Sequence, residues 1–500
     1  MQAKKFHIIT LGCKVNQYES EALREAWLKA GHQELAEPEG ADLVLINSCA
    51  ITAKAVSDLR AMSRRVRRVA PHCELLVTGC AAQALPEELN ELPVDTLVPQ
   101  KEKISLLRWL GTAEGFEAVD ASSIEFPTHE RHHHDHDHSG ADDEHGDGHD
   151  DGTSSGHDAA DPDLEDFWDY EGPEEVLEEN AFPAFSISDY ARTRAVLKIH
   201  DGCSQHCTYC IVPQGRGPSV SRPWQAVLAE AGRLVAAGFR EIVLNGVNLR
   251  QYGLDLADTP DGRKPDFWDL LSRLDAAFAP EWARPEIMAK GGLRFRISSL
   301  EPGQLNQKAL DILGRSKLIA PQLHLSLQSG SPRILKKMGR GHYDPATIPG
   351  FLNELRKIWP VYGLGADYIT GFPGETEADF EETMRLSSEL PLTYAHVFPY
   401  SKRPGTAAAK LPDQIPQEVK KERAARLREL IRLKKLDFLQ SQLALESVWI
   451  VPEEGKAGQG VNEFYSDCRF TGEQTTPMRG KNLVKARPAG VDGETLLVGR

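Results

Sequence analysis

Eight apolar runs in this chain each stop at a glycine, a cysteine or a polar residue and lead into a helix-compatible stretch. FHIITLG, ADLVLINS and CELLVTG lie within residues 1–113, and RAVLKIHDG, EIVLNGVNL, RFRISSLEP, QLHLSLQSG and GADYITGFPG follow from residue 190 onward. Strand-like runs alternating with helical patterns are the signature of parallel α/β structure. The second set repeats every ~30–45 residues, the spacing of βα units in a barrel or partial barrel, whose working face lies at the C-terminal ends of its strands. A long helical stretch follows at 416–443. Leu427, Leu430, Ile431, Leu433 and Leu436 form its apolar stripe, and eight Lys or Arg fall between Lys420 and Lys435. The segments SVWIVP, EFYSDCRF, KNLVKARP and ETLLVG, separated by glycines, then read as a small β-barrel over 441–500. The expected fold class is α/β. It comprises an N-terminal parallel domain (1–113), a central partial (β/α) barrel (186–440) and a C-terminal β-barrel.

Residues 114–185 break this pattern. THERHHHDHDHSGADDEHGDGHDDGTSSGHD is rich in His, Asp and Gly and nearly free of aliphatics. Such a stretch buries too little surface to offset its ordering entropy, so disorder is expected. Nine of the 17 histidines lie here, which allows loose binding of Zn²⁺ or Ni²⁺ besides the plainer reading of a solvated linker. The segment also explains the net charge. Residues 114–180 carry 24 acids against Arg131 alone, so −23 of the total −16 sits there and the rest of the chain is +7. A mildly basic remainder tolerates a polyanion.

No run of about 18 apolar residues occurs, so no transmembrane helix is expected. MQAKKFHIITLG reads as a first strand rather than a signal peptide, and a cytoplasmic location is expected. The eight cysteines are then thiols or metal ligands rather than disulfides.

Six of them fall into two sets. Cys203, Cys207 and Cys210 form C-x₃-C-x₂-C in HDGCSQHCTYCIVPQGRG. Three thiolates do not complete a tetrahedral zinc site; they suit an iron–sulfur cluster with one iron left open. A zinc knuckle remains possible if His206 or His200 supplies a fourth ligand. Cys13, Cys49 and Cys80 each sit where a strand ends and a helix begins. Such positions favour thiolates, and in a parallel sheet those ends share one edge. A second three-thiolate site follows. Cys73 and Cys468 fit neither set.

These residues, with LSLQSGSPRILKKMGRGH, DYITGFPGETEADF and FPYSKRPGTAA, resemble the methylthiotransferase family of radical S-adenosylmethionine enzymes over nearly the whole chain except the insert. The terminal β region looks like a TRAM domain, an RNA-binding barrel. TLGCKVNQYESE, with Lys14 and Val15 after Cys13, looks like the branch that methylthiolates N6-threonylcarbamoyladenosine beside the tRNA anticodon. The resemblance implies two [4Fe–4S] clusters: a radical one on Cys203, Cys207 and Cys210, and an auxiliary one on Cys13, Cys49 and Cys80. It implies that Asn245, Ser298, Glu301, Gln328, Asp367 and Arg403 hold S-adenosylmethionine. It implies that tRNA lies across Lys420, Lys421, Arg423, Arg426, Arg64 and Arg65, and that an electron donor such as flavodoxin or ferredoxin serves a monomer. Other readings are a methylthiotransferase acting on a different tRNA adenosine or on a ribosomal-protein side chain, and a non-catalytic zinc-binding RNA protein.

Overall fold

The computed structural model describes residues 3–110, 182–453, 456, 458–472 and 481–499. The expected disordered insert lies outside them, apart from its last four residues. Those four are corrected to the core side of the boundary. Phe185 is buried and accepts a hydrogen bond from the Tyr18 hydroxyl at 2.7 Å, because two phenylalanines this close to the barrel gain more by burial than by staying in an acidic linker.

The N-terminal domain is a parallel sheet of β1 (Lys5–Thr10), β2 (Gln33–Glu34), β3 (Leu43–Ser48), β4 (Glu74–Gly79) and β5 (Thr96–Pro99), in the order β2-β1-β3-β4-β5. The expected runs supply β1, β3 and β4. β3 is buried along its whole length because helices cover both faces.

The central domain is two four-stranded sheets joined through one stretch of chain, parallel except for the short β7. β6 (Ala195–Asp201) pairs with the short antiparallel β7 (Val220–Ser221) and, in parallel, with β8 (Glu241–Gly246). β8 pairs with β9 (Arg294–Ile297), whose continuation β10 (Ser299–Leu300) pairs with β11 (Gln322–Gln328). β12 (Gly363–Thr370) and β13 (Tyr394–Pro399) complete the row. The single stretch 294–300 thus hands the sheet from one half to the other, and the sheet stays open between β13 and β6. Leu323, Leu325 and Leu327 alternate outward into the helical layer, leaving Gln322, His324, Ser326 and Gln328 facing the interior.

The C-terminal strands β14 (Val448–Pro452), β15 (Gln459–Asn462), β16 (Asp467–Phe470), β17 (Val484–Asp492) and β18 (Thr495–Gly499) close into a five-stranded barrel. It is not hung on a free linker. Its turn Asn462–Tyr465 enters the N-terminal end of the central barrel, where Arg296 donates to the carbonyls of Asn462 (3.0 Å) and Glu463 (3.1 Å). Gly363 is glycine for this reason, since a Cβ there would stand 1.9 Å from the Phe464 carbonyl oxygen.

The long helix Gln417–Ser441 lies along β12 and β13, and here the expectation needs two corrections. Leu433 is 48% exposed; the buried face is Lys420, Arg423, Ala424, Leu427, Ile431 and Leu439. Lys420 and Arg423 are therefore not presented to a polyanion. Lys420 lies over the Tyr400 ring at 4.9 Å, and Arg423 pairs with Glu375 at 2.7 Å and Glu377 at 3.1 Å. Their long stems follow the apolar face while the charged heads find partners there.

Candidate active site

Helix Lys14–Lys29 starts directly after Cys13, helix Ala53–Val69 starts four residues after Cys49, and helix Cys80–Ala84 starts at Cys80 itself. The C-terminal edge of the sheet brings the three thiols into mutual electrostatic range. Cys49 and Cys80 are buried and Cys13 is exposed, so the triad opens on one side. Gly12 has φ +112°, and a Cβ there would meet the Cys49 Cβ at 2.6 Å. Only glycine lets those two loops approach this closely. Asn16 straps them, its Nδ2 donating to the Leu11 carbonyl at 3.0 Å and to the Ser48 carbonyl at 2.9 Å.

The second triad sits on the loop after β6. Asn248 Nδ2 reaches Cys203 Sγ at 3.5 Å, and Arg340 lies 4.0 Å from Cys207 Sγ. Arg340 is fixed by a bidentate pair to Glu301 (2.7 Å to each oxygen), and His342 adds 3.2 Å to the same carboxylate. Tyr209, the aromatic between the last two cysteines, packs on Ile334, Leu335, Met338, Phe372 and Tyr400 and anchors the loop. His200 is not a spare ligand: its ring contacts Ser219 Oγ at 2.6 Å and the Asn248 N–H at 3.4 Å, and burial depresses it to about 4.

The two triads are physically continuous. Ile211, one residue after Cys210, is buried in the N-terminal core, and the helix Val212–Arg216 packs on the helix that begins at Cys80. A Cβ on Gly215 would lie 3.1 Å from the Cys80 Cβ. Arg216 then enters a buried charge network. It contacts Glu19 (2.9 Å), Asp201 (2.8 Å) and Asn16 Oδ1 (2.6 Å), while Lys103 and Lys198 reach Glu19 at 2.6 and 2.8 Å. Burial would push the Glu19 carboxyl up, but Arg216, Lys103 and Lys198 outweigh it and hold it well below the usual range.

Both triads suit a group that takes thiolate charge. Burial, aided by the neighbouring thiol Cys80, pushes Cys49 up to about 12, and burial pushes Cys210 up to about 12. Bare, these thiols stay protonated at neutral pH; a Lewis acid displaces their protons. The network beside Cys13 and Cys80 has three cations against two carboxylates, so one positive charge is in excess where thiolates would lie. Arg403 points the same way. It is buried, lies within electrostatic reach of Cys49, and its Nε and one terminal nitrogen have no hydrogen-bond partner. Neither triad has single-ion spacing. Among the described residues the one His/Cys/Asp/Glu group with ligand atoms within 4.8 Å of one another is His324, Asp367 and His396.

The other sequence-derived residues disperse. Asn245 is buried at the end of β8, Ser298 Oγ is buried without a partner, and Gln328 ends β11 in the left-handed region at φ +66°. These three border the interior near the second triad's strand ends. Glu301 is committed to Arg340. Asp367 is lower in the barrel, 3.1 Å from His324 Nε2. Arg403 stands by the first triad rather than with Asn245. Lys421 and Arg64 are exposed, Arg65 is exposed with Glu37 at 3.5 Å, and Arg426 is paired to Glu377 at 2.6 Å, to Glu381, and to Glu422 at 3.2 Å. Asn248, Arg340 and Arg216 were missed by sequence reasoning. All three lie inside or beside quoted motifs, but only the fold shows which polar residue of a motif turns toward sulfur.

A partial barrel of parallel βα units carrying C-x₃-C-x₂-C after its first strand, joined to a second thiol-bearing sheet, defines a radical S-adenosylmethionine enzyme with an added domain. Residues 197–387 match the Radical SAM superfamily, and residues 5–98 match the family described as Uncharacterized protein family UPF0004. The chain is 35% identical to threonylcarbamoyladenosine tRNA methylthiotransferase MtaB of Bacillus subtilis, over 97% of this chain and 94% of that protein. It is 29% identical to the MtaB of Thermotoga maritima (98% and 96% covered), and 30% identical to the tRNA-2-methylthio-N(6)-dimethylallyladenosine synthase of Zymomonas mobilis (91% and 87%). The chain belongs to the MtaB-like tRNA methylthiotransferase family. Its chemistry is therefore group transfer with S-adenosylmethionine and [4Fe–4S] cofactors. The fold alone is shared with the solved radical S-adenosylmethionine methyltransferase TsrM of Kitasatospora setae, at a TM-score of 0.50 and 13% identity over 82% of this chain and 77% of that one. No helix among the described residues is long and apolar enough to cross a membrane.

Proposed function

We propose that this chain attaches a methylthio group to carbon 2 of N6-threonylcarbamoyladenosine at position 37 of tRNA. In this reading Cys203, Cys207 and Cys210 hold one [4Fe–4S] cluster and Cys13, Cys49 and Cys80 a second. When bound, the first group with S-adenosylmethionine would supply radical chemistry at carbon 2, the second would supply the sulfur, and a further S-adenosylmethionine would supply the methyl group. The observation that carries the reading is the continuity of the two triads through Cys210–Arg216, where the helix that follows Cys210 packs on the helix that begins at Cys80.

The chain's own residues then have distinct tasks. Glu301 fixes Arg340 beside Cys207, and Asn248 donates toward Cys203. Asn245, Ser298 and Gln328 offer polar groups to S-adenosylmethionine; the strained backbone at Gln328, worth about 1–3 kcal/mol, fits such a role. Arg403 offers its unpaired donors to the sulfur-carrying side. Ile51, on the loop after β3, and Phe398, near the end of β13, are exposed apolar side chains whose neighbouring segments meet through the Ala53 N–H and Ser401 Oγ (3.3 Å), and they form an apolar lip for an unstacked base. Lys421 and Arg64 serve phosphates, so binding weakens with salt. An external electron donor such as flavodoxin or ferredoxin completes the cycle, and one chain suffices. Nucleoside analysis of tRNA from a deletion strain tests this: 2-methylthio-N6-threonylcarbamoyladenosine disappears and returns with the wild-type gene but not with Cys13→Ala. An unchanged level in the deletion strain refutes it.

A further inference from the structure

Three neighbouring strands of the barrel carry, on their inner face, a ligand set that contains no cysteine. In the register of the sheet Asp367 on β12 lies beside His396 on β13, and Gly365 lies between His324 on β11 and Tyr394 on β13. Residues two apart on a strand share a face. His324, Gly365, Asp367, Tyr394 and His396 therefore line the interior, while Leu325, Ala366 and Val397 turn the other way into the core. Gly365 lets these side chains close up. A Cβ there would stand 2.5 Å from His324 Nδ1 and closer still to the Tyr394 hydroxyl. Without one, Tyr394 reaches across β12 and its hydroxyl meets His324 Nδ1 at 3.0 Å.

The ligand atoms of His324, Asp367 and His396 lie within 4.8 Å of one another. His324 Nε2 and Asp367 Oδ1 are 3.1 Å apart. Bonds of about 2.0–2.2 Å to one tetrahedral ion set its ligands about 3.3–3.6 Å apart, so one edge is nearly at length and the others close by about an ångström. The outer partner of His324 is also in place. The Tyr394 hydroxyl takes a hydrogen bond from Gln322 Nε2 at 2.9 Å and has a lone pair left for an Nδ1–H, which frees His324 Nε2 to bind a metal. A simple His–Asp pair would leave His396 unused. The His396 ring packs against those of His324 (5.4 Å) and Tyr394 (5.8 Å), but among the described residues neither of its nitrogens has a hydrogen-bond partner. It is exposed on β13, the last strand, beside the opening of the sheet, so an ion has a way in.

The charges facing the set are the Asp367 carboxylate and the cations Lys14 and Arg296. Arg296 is answered by Glu241 at 2.8 Å, and Glu463 accepts from the Trp449 N–H at 2.8 Å. A doubly charged ion here keeps a positive excess over Asp367, so a remaining coordination position favours an oxygen anion. We propose that His324, Asp367 and His396 form a binding site for a divalent transition ion such as Zn²⁺, with one position open to an exchangeable oxygen ligand. Two imidazoles and a carboxylate are the ligands of open zinc sites, and imidazole selects against Mg²⁺ and Ca²⁺. The site stands apart from the proposed reaction, whose outcome does not decide it.

Zinc binding to the full-length holoenzyme tests this. Both triads are first loaded with iron, so their thiols are occupied. The histidine-rich segment is identical in every variant, so only differences between variants count. Zinc and iron retained after equilibrium dialysis at one fixed free Zn²⁺ concentration are measured by mass spectrometry. The wild type is expected to hold about one zinc per chain more than His396→Ala and Asp367→Asn, at equal iron. Tyr394→Phe, which removes no ligand, is expected to weaken that zinc by about 10–100-fold. Circular dichroism shows which variants are folded; if Asp367→Asn is not, His396→Ala, at an exposed edge position, carries the comparison. Anomalous scattering at the zinc edge from crystals of the holoenzyme is expected to place a peak among the three side chains. Equal zinc in the wild type and the folded variants overturns the proposal. So does an anomalous map with no peak at this site, or zinc uptake matched by loss of iron, which puts the ion in a cysteine triad.

Discussion

Glu19→Gln removes one charge and no volume from the junction between the N-terminal sheet and the barrel. In the wild type this carboxylate answers Lys103 (2.6 Å), Lys198 (2.8 Å) and Arg216 (2.9 Å), and the side chains of Glu19, Lys103 and Lys198 are 0% exposed. After substitution the one carboxylate left, Asp201, touches Lys198 and Arg216, while Lys103 keeps no carboxylate partner. Removing one partner of a buried pair costs about 3–5 kcal/mol, a large part of the ~5–15 kcal/mol that holds a domain folded. Guanidinium unfolding under anaerobic conditions, followed by circular dichroism, should show the loss. Lys103→Met in the same background removes one unanswered cation, so the double variant is expected to be less destabilised than the sum of the singles by about 2 kcal/mol. The pH dependence has a definite sign. The folded carboxyl titrates below its unfolded value, so its contribution is present above ~4.3 and is lost as the pH falls from there through the folded value. Glu19→Gln should flatten that acid limb. A cost below ~1 kcal/mol, or strict additivity with Lys103→Met, refutes the idea that this charge network clamps the two domains.

Gly215→Val places branched carbon where even a Cβ is 3.1 Å from Cys80. It should lower reconstituted iron from about eight to about four per chain, because the barrel triad is untouched; iron assay with electron paramagnetic resonance checks this. Deletion of 118–180 should leave iron content and turnover intact, since both triads and the charge network between them are built from residues outside that segment; a drop in either shows the acidic stretch to be functional.

The strands were legible because each is an apolar run ending in a turn residue, and that alone located the six cysteines on two working edges. The basic helix was not. Lys420, Lys421, Arg423 and Arg426 look alike in sequence, yet Lys420 and Arg423 are buried against Tyr400 and Glu375 while Lys421 faces solvent. Helical period identifies a face, but which face turns inward depends on acids some 50 residues earlier. The same holds for Arg216, whose partner Glu19 lies almost 200 residues away.

The insertion of Asn462–Tyr465 under the barrel has a consequence for how this chain can be cut and recombined. The terminal module closes the N-terminal end of the central barrel. A truncation before Val448 would open the central barrel from below and strip Arg296 of two carbonyl partners. Hybrids that exchange this module between relatives need a matching glycine at the start of β12, because the Phe464 carbonyl occupies the volume any side chain at position 363 would need.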